Sequence, residues 1–503
     1  MELFHLLVVV CLSLPSCLAD GDDEFANYTI TKRILPKHIA VGVATAAYQI
    51  EGAWNLDGKG EQVWDTFIHD NPSRVSDHTN GDVASDSYHF YKQDVAAMKE
   101  VGVNYYRFSI AWSRILPDGT LKKINQAGID YYVNLFEELE SKGIQAMVTL
   151  HHWDIPTALE KQGGWQNPKV VDWFVDYARL CYEKFGKYVQ SWVTINEPKQ
   201  ICHAGYGLGV FAPGVVSPGV GEYLCARHVL LAHAKAWHVF DKEFRSKLKS
   251  RNTIVIDSDW YEPATHSKAD AIAAEIKRQF VYGMYAHPIV YGNWPKIMID
   301  NIAKYSKAQG FKQSRLPAFS QEEIELIKGT YDFLAVNHYT TYMVSALEDP
   351  NHVGGVSWDE DSGVNSYQKS TWKTAAIDWF KIVPWGFGKL LRWLKHTYGD
   401  KEIVITENGV SDTTGTLRDQ HRIDYLQSYM SHMVDAIYDG VNVTSYTVWS
   451  IIDNFEWNQG FNAKLGMYYI NMSDPEKRRI AKDSSKYLAK VIKTRCLIES
   501  GCE

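Results

Sequence analysis

What the chain lacks narrows its function before any motif is read. No run of lysine and arginine is long enough to form a nucleic-acid surface, and the formal net charge of -8 over 503 residues is modest. Beyond the N-terminus, no apolar stretch approaches the roughly 20 residues that cross a bilayer. The tail LAKVIKTRCLIESGCE carries neither an apolar anchor nor a retention tetrapeptide. No G-x-G-x-x-G turn follows an early strand, so a dinucleotide site is not expected. There is no G-x-S-x-G for a serine nucleophile and no H-E-x-x-H for a zinc hydrolase. The cysteine spacings do not suit zinc either, so neither a metal nor a cofactor is expected. Linkers, charge blocks and low-complexity tracts are also missing after the N-terminus, which excludes a string of small modules.

What is present begins with MELFHLLVVVCLSLPSCLADGDDE. An apolar run from Leu3 to Leu14, then small residues, then an acidic stretch fit a secretory signal over 1–19, with cleavage near Ala19. Residues 20–34 read as an N-terminal extension, 35–495 as one catalytic domain and 496–503 as a short tail. Secretion is the expectation, without a membrane anchor. Removing the signal takes two of the seven cysteines with it. Of the five left, Cys202 and Cys225 flank a Gly/Pro-rich loop and are the first choice for a disulfide. Cys496 and Cys502 suit a small terminal loop. Cys181 lies in an amphipathic helix pattern and reads as a buried thiol. Asn27, Asn442 and Asn471 begin N-x-S/T sequons, so in a secreted chain each is a candidate glycan site.

The composition is 45% apolar and 22% charged, enough for an ordinary core. Eight β-rich runs alternate with helical patterns, at 39–47, 103–110, 144–152, 191–196, 253–258, 333–340, 402–408 and 443–451. Several are apolar on both faces, as a parallel sheet covered by helices requires. The expected fold is α/β, a single (β/α)8 TIM barrel with its active site at the C-terminal ends of the strands.

Those strand ends are polar. The first leads to Gln49 and Glu51, and the second carries Arg107. The third ends in His151, His152, Trp153 and Asp154, and the fourth in Asn196 and Glu197. The sixth ends in Asn337, His338 and Tyr339, and the seventh in Glu407 and Asn408. The eighth leads into Trp449, Asp453, Asn454, Glu456 and Trp457. Polar groups and indoles from seven strands at one mouth suit a polyhydroxylated ligand. Two carboxylates on opposite strands suit glycosidic bond cleavage, one protonated and one ionised. Asn196 suits a hydrogen bond to the sugar 2-hydroxyl. Arg107 and Tyr339 suit holding Glu407 ionised, since a cation and a hydroxyl donor both favour carboxylate. His151 and His152 are adjacent on a strand and point to opposite faces, so they do not share a metal.

These residues resemble glycoside hydrolase family 1, the β-glucosidase and myrosinase family, from about residue 35 to about 490. The segments GVATAAYQIEGAW, NGDVASDSYHFYKQDV, YRFSIAWSRILP, TLHHWDIP, WVTINEP, GYGLGVFAPG, FLAVNHYT, ITENG and WSIIDNFEW occur in the family's order. The resemblance implies that Glu197 is the acid/base and Glu407 the nucleophile. It implies a glycone-binding set of Gln49, His152, Asn196, Trp449, Glu456 and Trp457. Arg107, Asn337 and Tyr339 are implied as the network around the nucleophile, and Trp379 as a platform on the aglycone side. Four positions depart from the pattern. Ile39 and Val41 replace aromatics of the first-strand signature. Leu465, in Lys464-Leu465-Gly466, replaces an aromatic near the glycone 6-hydroxyl, and Val410 stands where many relatives carry Trp or Tyr, which would open the aglycone side.

The wording is most similar to secreted animal members, insect β-glucosidases in particular. The implied reaction is hydrolysis of β-glucosides by double displacement through a covalent glycosyl-enzyme, with a small-molecule glycoside as the partner. Thioglucoside cleavage with the same residues stays open, because a basic residue such as Lys199 or His203 near the aglycone would hold a sulfate. A non-catalytic sugar-binding barrel is a minor alternative. Monomer and homodimer are both left open.

Overall fold

Val, Ile, Tyr and Thr fill the strand runs, and side chains on both faces of each strand find a buried environment. In the computed structural model, which describes residues 34–349 and 351–498, these runs form eight parallel strands. They are β1 (Ala40–Ala44), β2 (Tyr105–Ser109), β3 (Gln145–His151), β4 (Val189–Asn196), β5 (Arg251–Asp257), β6 (Leu334–Asn337), β7 (Ile403–Asn408) and β8 (Val443–Trp449). Each pairs with the next along the chain. β8 then returns to β1, with Ala40 opposite Ser445 and Ala44 opposite Trp449, so the barrel closes and leaves no edge. The expected (β/α)8 barrel is therefore the observed one.

Helices cover the outside. In Val170–Phe185 the buried residues Phe174, Tyr177, Ala178, Cys181, Tyr182 and Phe185 recur at helical spacing and form the stripe facing the strands. Cys181 is a buried free thiol there. Beyond the ends of β5 and β6 the chain adds a small sheet from Trp260–Pro263, Thr341–Ala346 and Val364–Tyr367. Several strands are shorter than expected, β6 and β1 most of all. β6 stops at Asn337, and Thr341 begins a strand of the added sheet. β1 stops at Ala44, and Ala47–Ile50 form a helical turn anchored by the Ala47 amide on Ser109 Oγ at 2.7 Å.

The barrel interior is layered. Tyr105, Met147, Val193, Val255, Phe333, Ala335 and Val404 form an apolar cluster separate from the main core, with Ala40 packed against it. Two residues further along their strands, on the same inward phase, stand the buried polar side chains of Arg107, Thr149, Asn337 and Thr406. Tyr105 spans the lower layer and donates or accepts a hydrogen bond with Thr447 Oγ1 at 2.6 Å. Its ring lies over Gly42, where a Cβ would stand 2.4 Å from ring carbons. Glycine at 42 is thus a packing requirement of the barrel floor.

Two strands break register just before their glutamates. The β4–β5 pairing shifts between Val193 and Asn196. The β6–β7 pairing shifts between Ile405 and Glu407, and the β7–β8 pairing between Ile405 and Asn408. Such irregularities re-aim side chains next to active sites.

Cys202 and Cys225 are bonded, with Cα atoms 5.4 Å apart, and tie the segment after β4 to the helix Gly221–Val239. Cys502, Asn27, the segment 1–19 and residues 20–33 lie outside the described residues. Asn442 and Asn471 are exposed. Among the described residues no helix is long and apolar enough to cross a membrane. Gly42→Ala is expected to lower the melting temperature, with an overpacking cost of about 1–3 kcal/mol. A melting curve superimposable on that of the parent protein would show that Tyr105 does not constrain this position.

Candidate active site

The polar ends of the strands converge on one hydrogen-bonded chain. Arg107, buried in β2, donates from Nη1 to Glu407 Oε1 at 2.6 Å and to the Thr406 carbonyl at 3.1 Å. Its Nη2 donates to Asn196 Oδ1 at 2.5 Å, and its Nε to Thr149 Oγ1 at 3.3 Å. One guanidinium therefore joins β2, β3, β4 and β7. Tyr339 donates its hydroxyl to the other oxygen of Glu407 at 2.7 Å. Asn337 donates from Nδ2 to Glu197 Oε1 at 2.7 Å and to Asn196 Oδ1 at 3.2 Å. Its own Oδ1 accepts from Thr406 Oγ1 at 2.7 Å. Asn337 also acts on Glu407, where its side-chain hydrogen bond favours the carboxylate, so the residue expected around the nucleophile bridges the surroundings of both carboxylates.

Glu197 and Glu407 are both buried. The Glu197 backbone takes φ +48°, and its amide donates to the Val255 carbonyl at 2.9 Å. Burial pushes the Glu197 carboxyl well above the ordinary glutamate range. The charges of Glu407 and Asp257 add to that, while the Asn337 hydrogen bond and Lys199 pull it back. Burial also raises Glu407, but the Arg107 charge and the hydrogen bonds from Tyr339 and Arg107 oppose the rise. The same desolvation thus acts on two carboxylates, and only Glu407 is given a directly bonded cation to offset it. Glu197 is the one driven toward the protonated form.

The network also fixes proton positions. Asn196 Oδ1 accepts from Arg107 and Asn337, so its Nδ2 is the group that faces His152 Nε2 at 3.1 Å. Nε2 must then accept, and the ring proton lies on Nδ1. Burial, with Arg107 and His151 nearby, holds His152 well below the usual histidine range, so the ring is neutral. Among the described residues its Nδ1 has no hydrogen-bond partner. Gln49 shows the complementary arrangement. Its Nε2 faces Asn454 Oδ1, the Phe455 carbonyl and Glu456 Oε2 at 3.1, 2.9 and 3.1 Å, while its buried Oε1 is unpartnered. One orphan donor and one orphan acceptor thus sit in a buried wall, and an unfilled hydrogen bond there is costly. A hydroxyl, which both donates and accepts, satisfies such a pair.

Glu456 takes hydrogen bonds from Gln49 and the Trp449 side chain, yet burial and the Glu407 charge push it up to about 8. Aromatic rings frame this wall. Trp457 stacks against His152 and Tyr48 at 6.0 and 6.2 Å and meets Trp153 at 4.5 Å. Trp449 stacks on His152 at 5.8 Å. Gly409 lets β7 and β8 approach here, since a Cβ would lie 1.8 Å from the Trp449 carbonyl oxygen. Further out, Trp379 is 47% exposed. It stacks on Phe380 at 5.3 Å, and Phe380 meets Tyr339 edge-on at 5.6 Å. An exposed indole is thereby held at the rim by a ring that touches the Glu407 network.

The departures fall in two places. Ile39 and Val41 are buried packing residues, as expected. Leu465 is buried, and its carbonyl accepts from the Ser450 amide at 3.2 Å just past β8. Val410 is 1% exposed and belongs to the core. Lys199 pairs with Asp257 at 2.6 Å. His203 lies 3.9 Å from Glu222, 3.6 Å from Asp359 and against the Trp358 ring. His151 turns away from His152 onto Trp165, whose indole nitrogen is 3.3 Å from its Nε2.

Sequence reasoning gave β5 no site residue, yet Asp257 at its end faces Lys199. The acid in TIVIDS was the available signal. Trp153, with φ +71° and its indole donating to the Asn196 carbonyl at 3.1 Å, was visible as a strand-end indole. Phe380 was signalled only by adjacency to Trp379.

Known proteins resemble this arrangement closely. Over 462 residues, 91% of the chain, it is 44% identical to lactase/phlorizin hydrolase of Rattus norvegicus, of whose length it spans 24%. It is 41% identical to a cytosolic beta-glucosidase of Cavia porcellus, covering 98% of that protein. The solved structure of an aphid myrosinase superposes with a TM-score of 0.88 at 40% identity, covering 92% of this chain and 99% of that one. Residues 31–496 match the family model described as Glycosyl hydrolase family 1, and the chain belongs to that family.

Proposed function

We propose that the chain is a retaining β-glucosidase in which Glu197 is the acid/base and Glu407 the nucleophile. The observation that carries this reading is the pair of buried glutamates joined through Asn337, Asn196 and Arg107, of which only Glu407 is directly bonded to a cation. A glycoside would bind with its glycone against Gln49, His152, Asn196, Trp449, Glu456 and Trp457 and its aglycone toward Trp379. His152 Nδ1 then donates to one sugar hydroxyl, and Gln49 Oε1 accepts from another. Glu407 Oε attacks the anomeric carbon from one face as the bond to the leaving oxygen breaks on the other. Glu197 gives its proton to that oxygen. In the second half, Glu197 takes a proton from water, the water oxygen attacks the anomeric carbon, and the ester to Glu407 breaks, so the anomeric configuration is retained.

A second reading, thioglucoside cleavage, is favoured by the 40% identity to the aphid myrosinase. The neighbours of its proposed sulfate contacts weigh against it. Lys199 is bonded to Asp257, and His203 stands between two carboxylates. Release of glucose and sulfate from a glucosinolate tests it, and no release across pH 4–9, roughly the span of the ionisations involved, removes it. A sugar-binding barrel without catalysis is opposed by the presence of both carboxylates. We further propose secretion after loss of residues 1–19, with 35–495 as the catalytic domain and glycans on Asn27, Asn442 and Asn471. A mass shift of the secreted protein on enzymatic deglycosylation, lost stepwise with Asn→Gln changes, tests the glycans.

Glu407→Gln is expected to lower kcat for an aryl β-glucoside by at least about 10³-fold. Equal rates would end the assignment. Glu197→Gln should cost roughly 10²–10⁴-fold with a poor leaving group and far less with an activated one. The parent pH profile of kcat/KM should be bell-shaped. Activity falls at low pH as Glu407 is protonated, above the ordinary glutamate value of 4.5, and at higher pH as Glu197 loses its proton. Gln49→Ala should lower kcat/KM about 10–100-fold, in keeping with about 1–3 kcal/mol for leaving a buried hydrogen-bonding group without its partner. Unchanged kinetics would remove Gln49 from the glycone set.

A further inference from the structure

The fifth strand ends in a carboxylate that the reaction itself does not use. Asp257 Oδ2 accepts from Lys199 Nζ at 2.6 Å and from Gln200 Nε2 at 2.9 Å. Both donors lie within three residues of Glu197, on the segment that leaves β4. The Gln200 amide closes that segment on the Glu197 carbonyl at 2.9 Å, and the Glu197 amide is held by Val255 of β5. Asp257 therefore clamps the backbone turn carrying Glu197 to the neighbouring strand. The pair is nearly dry, with side-chain exposures of 14% for Lys199 and 9% for Asp257, so each charge is weakly screened.

We propose that Lys199 and Asp257 are positioning residues that hold Glu197 in place and cancel each other's field at its carboxyl. This rests on the reading of Glu197 as the acid/base. Lys199 alone would favour the carboxylate form of Glu197 and Asp257 alone the protonated form, and the two influences on Glu197 have these opposite signs. The remaining charges around Glu197 come from other elements. Glu407 faces it from β7, Tyr339 from the segment after β6, and Arg107 from β2 through Asn196. Asp259 from beyond β5 and Lys277 from Lys268–Arg278 face Lys199, and Asp359 in turn pairs with Lys277 at 3.3 Å. None of these is hydrogen-bonded to Glu197 itself among the described residues, whereas Lys199 stands on the segment that carries Glu197 and Asp257 ties that segment to β5.

The test is the pH dependence of kcat/KM for an aryl β-glucoside with a poor leaving group, measured on the full chain. Lys199→Met should move the basic limb to higher pH, on the order of 0.5–1 unit, because Asp257 is left uncompensated. Asp257→Asn, which keeps the shape, should move it to lower pH by a similar amount, because the cation is left free. The double variant should return toward the parent limb, and Lys199→Arg should restore it. Asp257→Asn carries the test alone if Lys199→Met does not fold. A merely structural role would lower the rate without opposite displacements. Two single variants that leave the limb in place, or move it the same way, overturn the proposal. A basic limb that persists in Glu197→Gln overturns the acid/base reading, and the role of the pair with it.

Discussion

The site depends on one buried guanidinium. Arg107 reaches four strands of the barrel and supplies the cation that Glu407 needs to stay ionised after burial. Taking a charge out of water is expensive unless its partner is close and well oriented. The barrel meets this condition by giving each nitrogen of the Arg107 fork an acceptor on β3, β4 or β7. Asn196 accepts from that fork, and this decides which end of its amide faces His152. The proton of His152 follows, and with it the donor that is left for a ligand. A single ion pair thus propagates, through amide orientation, to the wall of the sugar pocket.

The layering of the barrel interior explains why the guanidinium can sit there. Below it, Tyr105, Met147, Val193, Val255 and Val404 fill the barrel with apolar bulk and exclude water. Above it, the same inward phase of the strands turns polar. The transition occurs over two residues, the period of a strand. Low dielectric from below strengthens the Arg107–Glu407 pair and, by the same physics, raises the cost of ionising Glu197. One desolvated layer raises both glutamates, and only Glu407 has a directly bonded cation to oppose the rise.

The rim follows different rules. Trp379 is exposed and held by Phe380, whereas Lys199, Lys277 and His203 are engaged by carboxylates. The basic side chains there are thus each matched to a carboxylate, and the exposed indole of Trp379 stands apart from them.

By itself the sequence determined the number and order of the barrel strands, because apolar runs alternating with helical patterns suit a parallel sheet, and the missing G-x-G-x-x-G turn spoke against an open doubly wound one. It also determined which side chains stand at the strand ends, since the side chain of a given residue in a strand can only leave on one of two faces. Arg107 and Glu407 were legible in that way, Glu197, Tyr339 and Gln49 by their place just past a strand, and the Cys202–Cys225 bond by its flanking of a Gly/Pro-rich loop. Only the tertiary structure decided what each of them touches. The register shifts before Asn196 and Glu407 reset the inward phase, and no local pattern announces them. Asn337 proved to bond Glu197 as well as acting on Glu407, and Asp257 joined the site from a strand that looked uninvolved. Each outcome depends on distances between residues dozens to hundreds of positions apart, and those distances exist only once the barrel has closed.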